Sequence, residues 1–192
     1  LITKILKNNN KKVSNLQKYL GSDHLNFFWL SKSAWALYTI AKCRLDSESK
    51  NSINIWIPDY FCNSTLNLLR SLEVNICFYP INKEGYPNII ECKKMAKENS
   101  PDLILFVNYF GQDFFSQELY DISKDCNAWL IEDSVHCLQP NTYNNNADLI
   151  LTSPHKLLPI PDGAILIIKK NGPSNISEEI LSNFKTTYDA IA

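Results

Sequence analysis

Residues 152–159 read Thr152-Ser153-Pro154-His155-Lys156-Leu157-Leu158-Pro159, and Asp162-Gly163 follow shortly after. A lysine therefore lies between an apolar run that ends at Thr152 and a turn rich in proline and glycine. A second apolar run upstream, Trp129-Leu130-Ile131-Glu132-Asp133, ends in two acids. Two short apolar runs that each end in polar residues are typical of neighbouring strands whose carboxyl ends carry a site.

Strand-like and helix-like segments alternate along the rest of the chain. Apolar, β-branched runs predict strands at 53–57, 75–79, 103–108, 129–132, 148–152 and 164–168. Helical periodicity predicts helices at 33–44, 61–72, 89–99 and 117–125, and a short helix after residue 177. The alternation indicates a three-layer α/β/α fold with a mostly parallel sheet. Short connections near the end predict that the strand at 164–168 is antiparallel.

Composition and charge are ordinary for a soluble globular protein. The 192 residues are enough for one domain with a core, and 45% of them are hydrophobic. The net charge is −1 with scattered basic residues, so nucleic acid is not an expected partner. The longest apolar runs are too short to cross a bilayer, so no membrane partner is expected. Residues 1–20 lack the apolar centre of a signal peptide, which favours a cytoplasmic location.

Cysteines and glycines exclude several classes of site. The six cysteines show no C-x-x-C pair and no zinc-type spacing, so we expect buried free thiols and no metal site. The 5 glycines form neither a dinucleotide-binding fingerprint nor a phosphate-binding loop of the G-x-x-x-x-G-K-[ST] type.

Lys156 and Asp133 are the candidate catalytic residues. A lysine amine can bind an aldehyde cofactor covalently, and a carboxylate can keep a pyridine nitrogen protonated, so the pair indicates pyridoxal phosphate. Each residue also has a plainer interpretation, because an isolated lysine is usually a solvated charge and an aspartate often caps a helix. His136, three residues after Asp133, either contacts such a cofactor or is a structural histidine.

Five further residues are candidates for contacts with the cofactor's phosphate and ring. Ser153 offers a hydroxyl to a phosphate, and Lys32 and Ser33 begin a helix whose free backbone N–H groups favour an anion. Tyr60 and Phe61 follow the strand at 53–57, where they either stack on a planar ring or pack into the core.

Together these motifs resemble those of the DegT/DnrJ/EryC1/StrS aminotransferases, a family of fold-type I pyridoxal-phosphate enzymes. The motifs are helix-start serines at 31 and 33, Pro-x-Tyr-x-Cys at 58–62, Tyr-Phe-Gly-Gln at 109–112, Glu-Asp-x-x-His at 132–136 and Ser-x-His-Lys at 153–156. The resemblance extends over residues 28–168. It implies the large domain of the aspartate aminotransferase-like fold, and transfer of an amino group from a donor such as glutamate to a nucleotide-linked keto-sugar.

The resemblance also implies roles for single residues. Lys156 would form the Schiff base and shuttle the proton, Asp133 would pair with the pyridine nitrogen, and His136 would lie near the phenolic oxygen. Ser153 and the backbone at residues 32–33 would contact the phosphate. Strict alignment puts Cys62 where the family has a stacking aromatic residue, with the two aromatic candidates directly before it.

The length of the chain departs from the family. We expect an N-terminal segment at 1–27, a cofactor-binding large domain at 28–170, and at 171–192 a linker or the start of a missing C-terminal domain. The chain begins with Leu1, so a fragment or a degenerate relative is expected, and the family implies a homodimer. Ser-Pro-His-Lys also resembles class V aminotransferases and cysteine desulfurases. A desulfurase and a non-catalytic domain therefore stay open as alternatives.

Overall fold

The computed structural model describes residues 25–48, 50–137, 146–169 and 178–191. Its strands are β1 (Leu25–Leu30), β2 (Ile53–Pro58), β3 (Val74–Tyr79), β4 (Leu103–Val107), β5 (Trp129–Asp133), β6 (Leu149–Thr152) and β7 (Ala164–Lys169). Its α-helices are α1 (Ser33–Glu48), α2 (Ile89–Glu98), α3 (Gln117–Asp125) and α4 (Glu178–Ile191). Within these ranges the seven strands form one sheet in the order β1-β7-β6-β5-β4-β2-β3.

The sheet is mostly parallel, as the sequence predicted. Strands β2 to β6 pair in parallel, whereas β7 is antiparallel to both of its neighbours, β6 and β1. The prediction of an antiparallel strand at 164–168 is therefore confirmed. Helices cover both faces of the sheet, which explains why its central strands are almost continuously apolar.

Two apolar clusters lie on opposite faces of the sheet. Ile131 of β5 belongs to the cluster that includes α1 and α4, whereas its neighbour Leu130 belongs to the cluster that includes α2 and α3. This alternation follows from the two-residue period of a strand. All five residues of β4 are buried, so this strand is central to both clusters.

Strand β1 is the element that the sequence did not predict. Its residues Phe27, Phe28 and Trp29 pack on alternate faces, with Phe28 against the α1 cluster and the other two against a smaller cluster around Ile150. Because both faces carry aromatic residues, the segment lacks the polar alternation of a half-buried strand. β1 begins at Leu25, ahead of the boundary expected at residue 28.

The segment 61–72 is not the α-helix that its apolar spacing predicted. It forms two 3-10 turns, Asn63–Asn67 and Leu69–Ser71. The buried residues Leu66 and Leu69 are three positions apart, which suits the three-residue period of a 3-10 helix. Hydroxyl and amide side chains also compete for the backbone here, since Ser71 Oγ donates to the carbonyl of Leu68 at 2.6 Å.

The last described helix packs back onto the sheet. Phe184 of α4 is fully buried, and its ring stacks on Trp129 with 5.8 Å between centroids. Residues 171–177 of the segment expected at 171–192, and residues 1–24 of the expected N-terminal segment, lie outside the described residues. Within the described ranges, none of the helices combines the length and apolar character needed to span a bilayer.

Candidate cofactor site

The candidate residues meet at the carboxyl edge of the parallel strands. β1 runs in the same direction as β6, because both are antiparallel to β7. Asp133 ends β5, Lys156 lies shortly after β6, and Ser33 begins α1 shortly after β1. All three therefore lie at one edge, where open α/β sheets bind their ligands.

Asp133 is a buried carboxylate on the α1 side of the sheet. Its side chain is 6% exposed, and its strand neighbours Val107 and Leu151 belong to the α1 cluster. One carboxylate oxygen accepts a hydrogen bond from the backbone N–H of Val135 at 3.1 Å. Burial raises the pKa of Asp133 to about 6, against the opposing effects of that hydrogen bond and of Lys156. The carboxylate retains capacity to accept from a further donor.

Lys156 lies in the 3-10 turn Pro154–Lys156, which hydrogen bonds connect through Gly163 to the segment before α1. The imidazole Nδ1 of His155 donates to the carbonyl oxygen of Gly163 at 2.9 Å, and the N–H of Gly163 donates to the carbonyl of Ser31 at 2.9 Å. Burial is the largest cause of the raised pKa of Asp133 and of the lowered pKa of His136. The positive charge of Lys156 opposes the first shift and adds to the second. The exposed amine therefore lies within electrostatic range of both groups.

His136 contains a buried polar atom that lacks a partner. Within the described residues, its Nδ1 makes no hydrogen bond. Its ring stacks on Phe110, with 6.0 Å between centroids and 7° between planes. Burial, and then the positive charge of Lys156, lowers the pKa of His136, so the imidazole is neutral at pH 7. A neutral imidazole with a free nitrogen can hydrogen-bond a ligand group.

The candidate phosphate contacts surround the start of α1. Ser31 and Lys32 are exposed, and Ser33 is the first helical residue. The first N–H groups of an α-helix have no partner within the helix. Ser153 is buried, and its Oγ lies 3.3 Å from His155 Nδ1, so it shares the single N–H hydrogen there with the Gly163 carbonyl. The hydroxyl hydrogen of Ser153 therefore stays available to donate.

Residues 60–62 have three different environments. Tyr60 is 65% exposed and lies 5.5 Å, between ring centroids, from Tyr109, whose hydroxyl donates to the Tyr60 carbonyl at 2.6 Å. Phe61 packs against the α1 cluster, which is the core alternative that its sequence position left open. Cys62 is exposed, and hydrogen bonds from Ser64 and then Thr65 lower the pKa of its thiol. Which of the three contacts a cofactor ring stays a prediction.

The sequence analysis did not predict a polar network around Glu132, the residue before Asp133. The side-chain amide of Asn108 donates to Glu132 at 2.9 Å and to Ser134 at 3.0 Å, while its backbone N–H donates to the carbonyl of Asp133 at 2.9 Å. Burial raises the pKa of Glu132 to about 7, against the hydrogen bonds from Ser134 and Asn108. The sequence feature that could have indicated this network is Asn108, a polar residue directly after a strand of five apolar residues.

The fold has close relatives among solved structures, although the sequence identities are low. A DegT DnrJ EryC1 StrS aminotransferase from Brucella abortus superposes with a TM-score of 0.69 at 15% identity, covering 96% of this chain and 52% of its own. PseC from Helicobacter pylori, an aminotransferase involved in the biosynthesis of pseudoaminic acid, superposes with a TM-score of 0.66 at 23% identity, covering 90% of this chain and 45% of its own. The chain has the fold of an aminotransferase large domain. The expected fold and resemblance are confirmed.

Comparison of sequences adds a second group of relatives. No protein-family model matches the chain. A serine hydroxymethyltransferase from Pyrobaculum calidifontis is 22% identical over 189 residues, which cover 92% of this chain and 44% of the relative. The chain thus spans less than half of that relative and about half of its structural neighbours.

The residues of this aminotransferase-fold site fit pyridoxal phosphate. Further neighbours of the same fold were solved with pyridoxamine or pyridoxal phosphate bound. In this chain the buried carboxylate of Asp133 suits a protonated pyridine nitrogen, and the unpartnered Nδ1 of His136 suits the phenolic oxygen. Lys156 supplies an amine within electrostatic range of both, and the start of α1 supplies N–H groups for a phosphate.

Proposed function

We propose that this chain is the cofactor-binding large domain of a pyridoxal-phosphate-dependent aminotransferase. The observation that carries the proposal is the meeting of three groups at one edge of an aminotransferase fold: the buried Asp133, the amine of Lys156, and the Nδ1 of His136, which has no hydrogen-bond partner within the described residues. Because the chain spans about half of its structural neighbours, the proposal concerns the cofactor half of the active site.

Pyridoxal phosphate supplies an aldehyde and an electron-withdrawing ring, the two features that amino-group transfer requires. The Nζ of Lys156 would hold the cofactor through its aldehyde carbon, whose oxygen leaves as water. Once the amine of the donor has displaced it, the free Nζ would hold the proton that leaves the α-carbon of the donor. Asp133 holds the proton on the pyridine nitrogen through its negative charge. His136 orients the ring through a hydrogen bond from or to Nδ1. Ser153 and the first N–H groups of α1 bind the phosphate.

We further propose glutamate as the amino donor and a keto-sugar as the acceptor. The support is the similarity of fold to a DegT DnrJ EryC1 StrS aminotransferase and to an aminotransferase of pseudoaminic acid biosynthesis. The exposed rings of Tyr60 and Phe110 at the same edge offer apolar surfaces of the kind that pack against the faces of a sugar.

Transfer of the hydroxymethyl group of serine to a one-carbon acceptor, which would leave glycine, is the second candidate. The sequence relatives favour it, because the proteins from Pyrobaculum and Thermococcus that match this chain are serine hydroxymethyltransferases at 22% and 26% identity. The two candidates use the same lysine and carboxylate and differ in the substrates, so substrate tests separate them.

The first experiment titrates the purified chain with pyridoxal phosphate and measures the visible absorbance band of a lysine-bound cofactor. We expect a band in the wild type and in Lys83→Ala, which removes an exposed lysine from the loop after β3, and none in Lys156→Ala. Conversion of the bound cofactor to its amine form by glutamate indicates an aminotransferase. A protein that reacts with serine and not with glutamate indicates the second candidate. A folded wild type without a band contradicts the proposal and favours a non-catalytic domain.

A further inference from the structure

Phe110 adopts a backbone conformation that is rare for a bulky residue. In the turn Tyr109–Gly111 its φ is 55° and its ψ is 25°, in the left-handed region where side chains other than glycine are strained. Its side chain is 77% exposed, so burial in the core does not offset that strain. The described ring contact of Phe110 is the near-parallel stack on His136.

The turn that carries Phe110 is fixed against the turn that carries His136. Gly111 has a φ of 78°, and a Cβ atom on it would lie 3.1 Å from the carbonyl oxygen of His136, so glycine permits this close approach. At the base of the turn, Asn108 donates from its backbone to Asp133 and from its side chain to Ser134. These contacts set the position of the Phe110 ring relative to His136.

Within the described residues the Nδ1 of His136 has no hydrogen-bond partner that would orient the imidazole. The ring of Phe110 lies nearly parallel to the imidazole, so it restricts rotation of that ring. We propose that Phe110 is a positioning residue that holds the imidazole of His136 in the plane from which Nδ1 reaches the phenolic oxygen of pyridoxal phosphate. This inference rests on the proposed function and adds to it a residue that acts through His136.

The experiment compares Phe110→Gly, Phe110→Tyr and Asn127→Gly in the full chain. Asn127 is the matched control, because it is the other non-glycine residue with a positive φ, 53°, in the described ranges, and it lies before β5 at the opposite edge. Three quantities are measured: Tm without cofactor, the pKa of His136 by NMR, and the Kd for pyridoxal phosphate. The chain has 3 histidines, so comparison with His136→Gln identifies the resonance.

In Phe110→Gly we expect Tm to stay the same or rise, because glycine relieves the backbone strain. The pKa of His136 should rise towards its ordinary value as the covering ring is lost, and the Kd should increase about tenfold, as for the loss of one aromatic stack. Phe110→Tyr should match the wild type in all three quantities. Asn127→Gly should raise Tm and leave the pKa of His136 and the Kd unchanged.

Two results overturn the inference. One is a Phe110→Gly protein with the wild-type pKa of His136 and the wild-type Kd. The other is a lower affinity accompanied by a clear fall in Tm, which assigns Phe110 a structural role. If the wild type binds no pyridoxal phosphate, the proposed function fails, and the titration of His136 in the cofactor-free protein still decides whether Phe110 controls its environment.

Discussion

Glu132 and Asp133 are adjacent carboxylates that the strand sends to opposite faces of the sheet. Asp133 lies on the α1 side, near Lys156, whereas Glu132 is hydrogen-bonded to Asn108 and Ser134 on the other side. Burial raises the pKa of both, to about 6 for Asp133 and about 7 for Glu132. The sequence Glu-Asp therefore places one carboxylate in the candidate site and a second in the network that supports it.

Replacement of Glu132 by glutamine should stabilise the protein at alkaline pH. The folded pKa of about 7 exceeds the ordinary value of 4.5, so the folded state binds the proton more tightly and stability falls as the pH rises between these values. The wild type should lose up to about 3 kcal/mol over this window, whereas Glu132→Gln keeps a neutral acceptor for Asn108 and Ser134. Thermal unfolding of both proteins at pH 8 and pH 4.5 measures the effect.

The control for this prediction is Glu84→Gln, which changes an exposed glutamate in a loop. We expect Glu132→Gln to unfold at a higher temperature than the wild type at pH 8 and at a similar temperature at pH 4.5, with no change for the control. Equal unfolding temperatures of all three proteins at pH 8 would show that Glu132 carries no buried charge.

At the scale of single residues, the positions of Lys156 and Asp133 at strand ends could be predicted from the sequence, whereas the contact between Phe110 and His136 could not. A lysine and an acid at strand ends are recognisable from local pattern, because parallel strands bring their carboxyl ends together. The contact between Phe110 and His136 joins two turns that follow different strands, and its geometry depends on the left-handed backbone of one of them. Local pattern contains no information about such a contact.

Among the elements, regular helices and strands were predictable where one physical preference dominated. The helix at 117–125 has its predicted bounds, since it combines an N-cap, Ser116, with a clear apolar face. The segment 61–72 and strand β1 were not predictable, because the first mixes leucines with backbone-binding side chains and the second is apolar on both faces. The parallel sheet itself followed from the alternation of the remaining elements.

Helix α4 should contribute to the stability of the whole described fold. Phe184 is fully buried between Trp129 and Phe28, so its removal leaves a cavity among large rings. We expect Phe184→Ala to lower the free energy of unfolding by about 3–5 kcal/mol, as measured by urea denaturation. The adjacent exposed Lys185→Ala is the control, with little expected change. A Phe184→Ala protein as stable as this control would mean that α4 does not pack on the sheet in solution.

At the scale of the whole molecule, large apolar side chains are exposed around the candidate site. Beyond Lys156, the side chains of Leu157, Leu158 and Ile160 are 42%, 43% and 41% exposed, and Tyr60 and Phe110 lie exposed at the same edge of the sheet. Soluble monomers rarely leave such groups together in water, and an apolar patch beside a binding site is typical of a surface that another protein surface covers. The family resemblance implies a homodimer, so a second copy of the chain is the partner that we expect to cover this patch.

We therefore expect the wild-type chain to self-associate through this apolar patch in a concentration-dependent way. The double substitution Leu157→Lys and Leu158→Lys places two charges in the patch, and desolvation of those charges should shift the protein to a monomer in sedimentation velocity experiments. Ile90→Lys is the matched control, because Ile90 is 71% exposed but lies on α2, which packs on the face of the sheet opposite to α1. It should leave the association unchanged. A wild type that sediments as a monomer at every concentration tested contradicts the prediction. Equal dissociation of the control variant would mean that the association does not use the patch around Leu157 and Leu158.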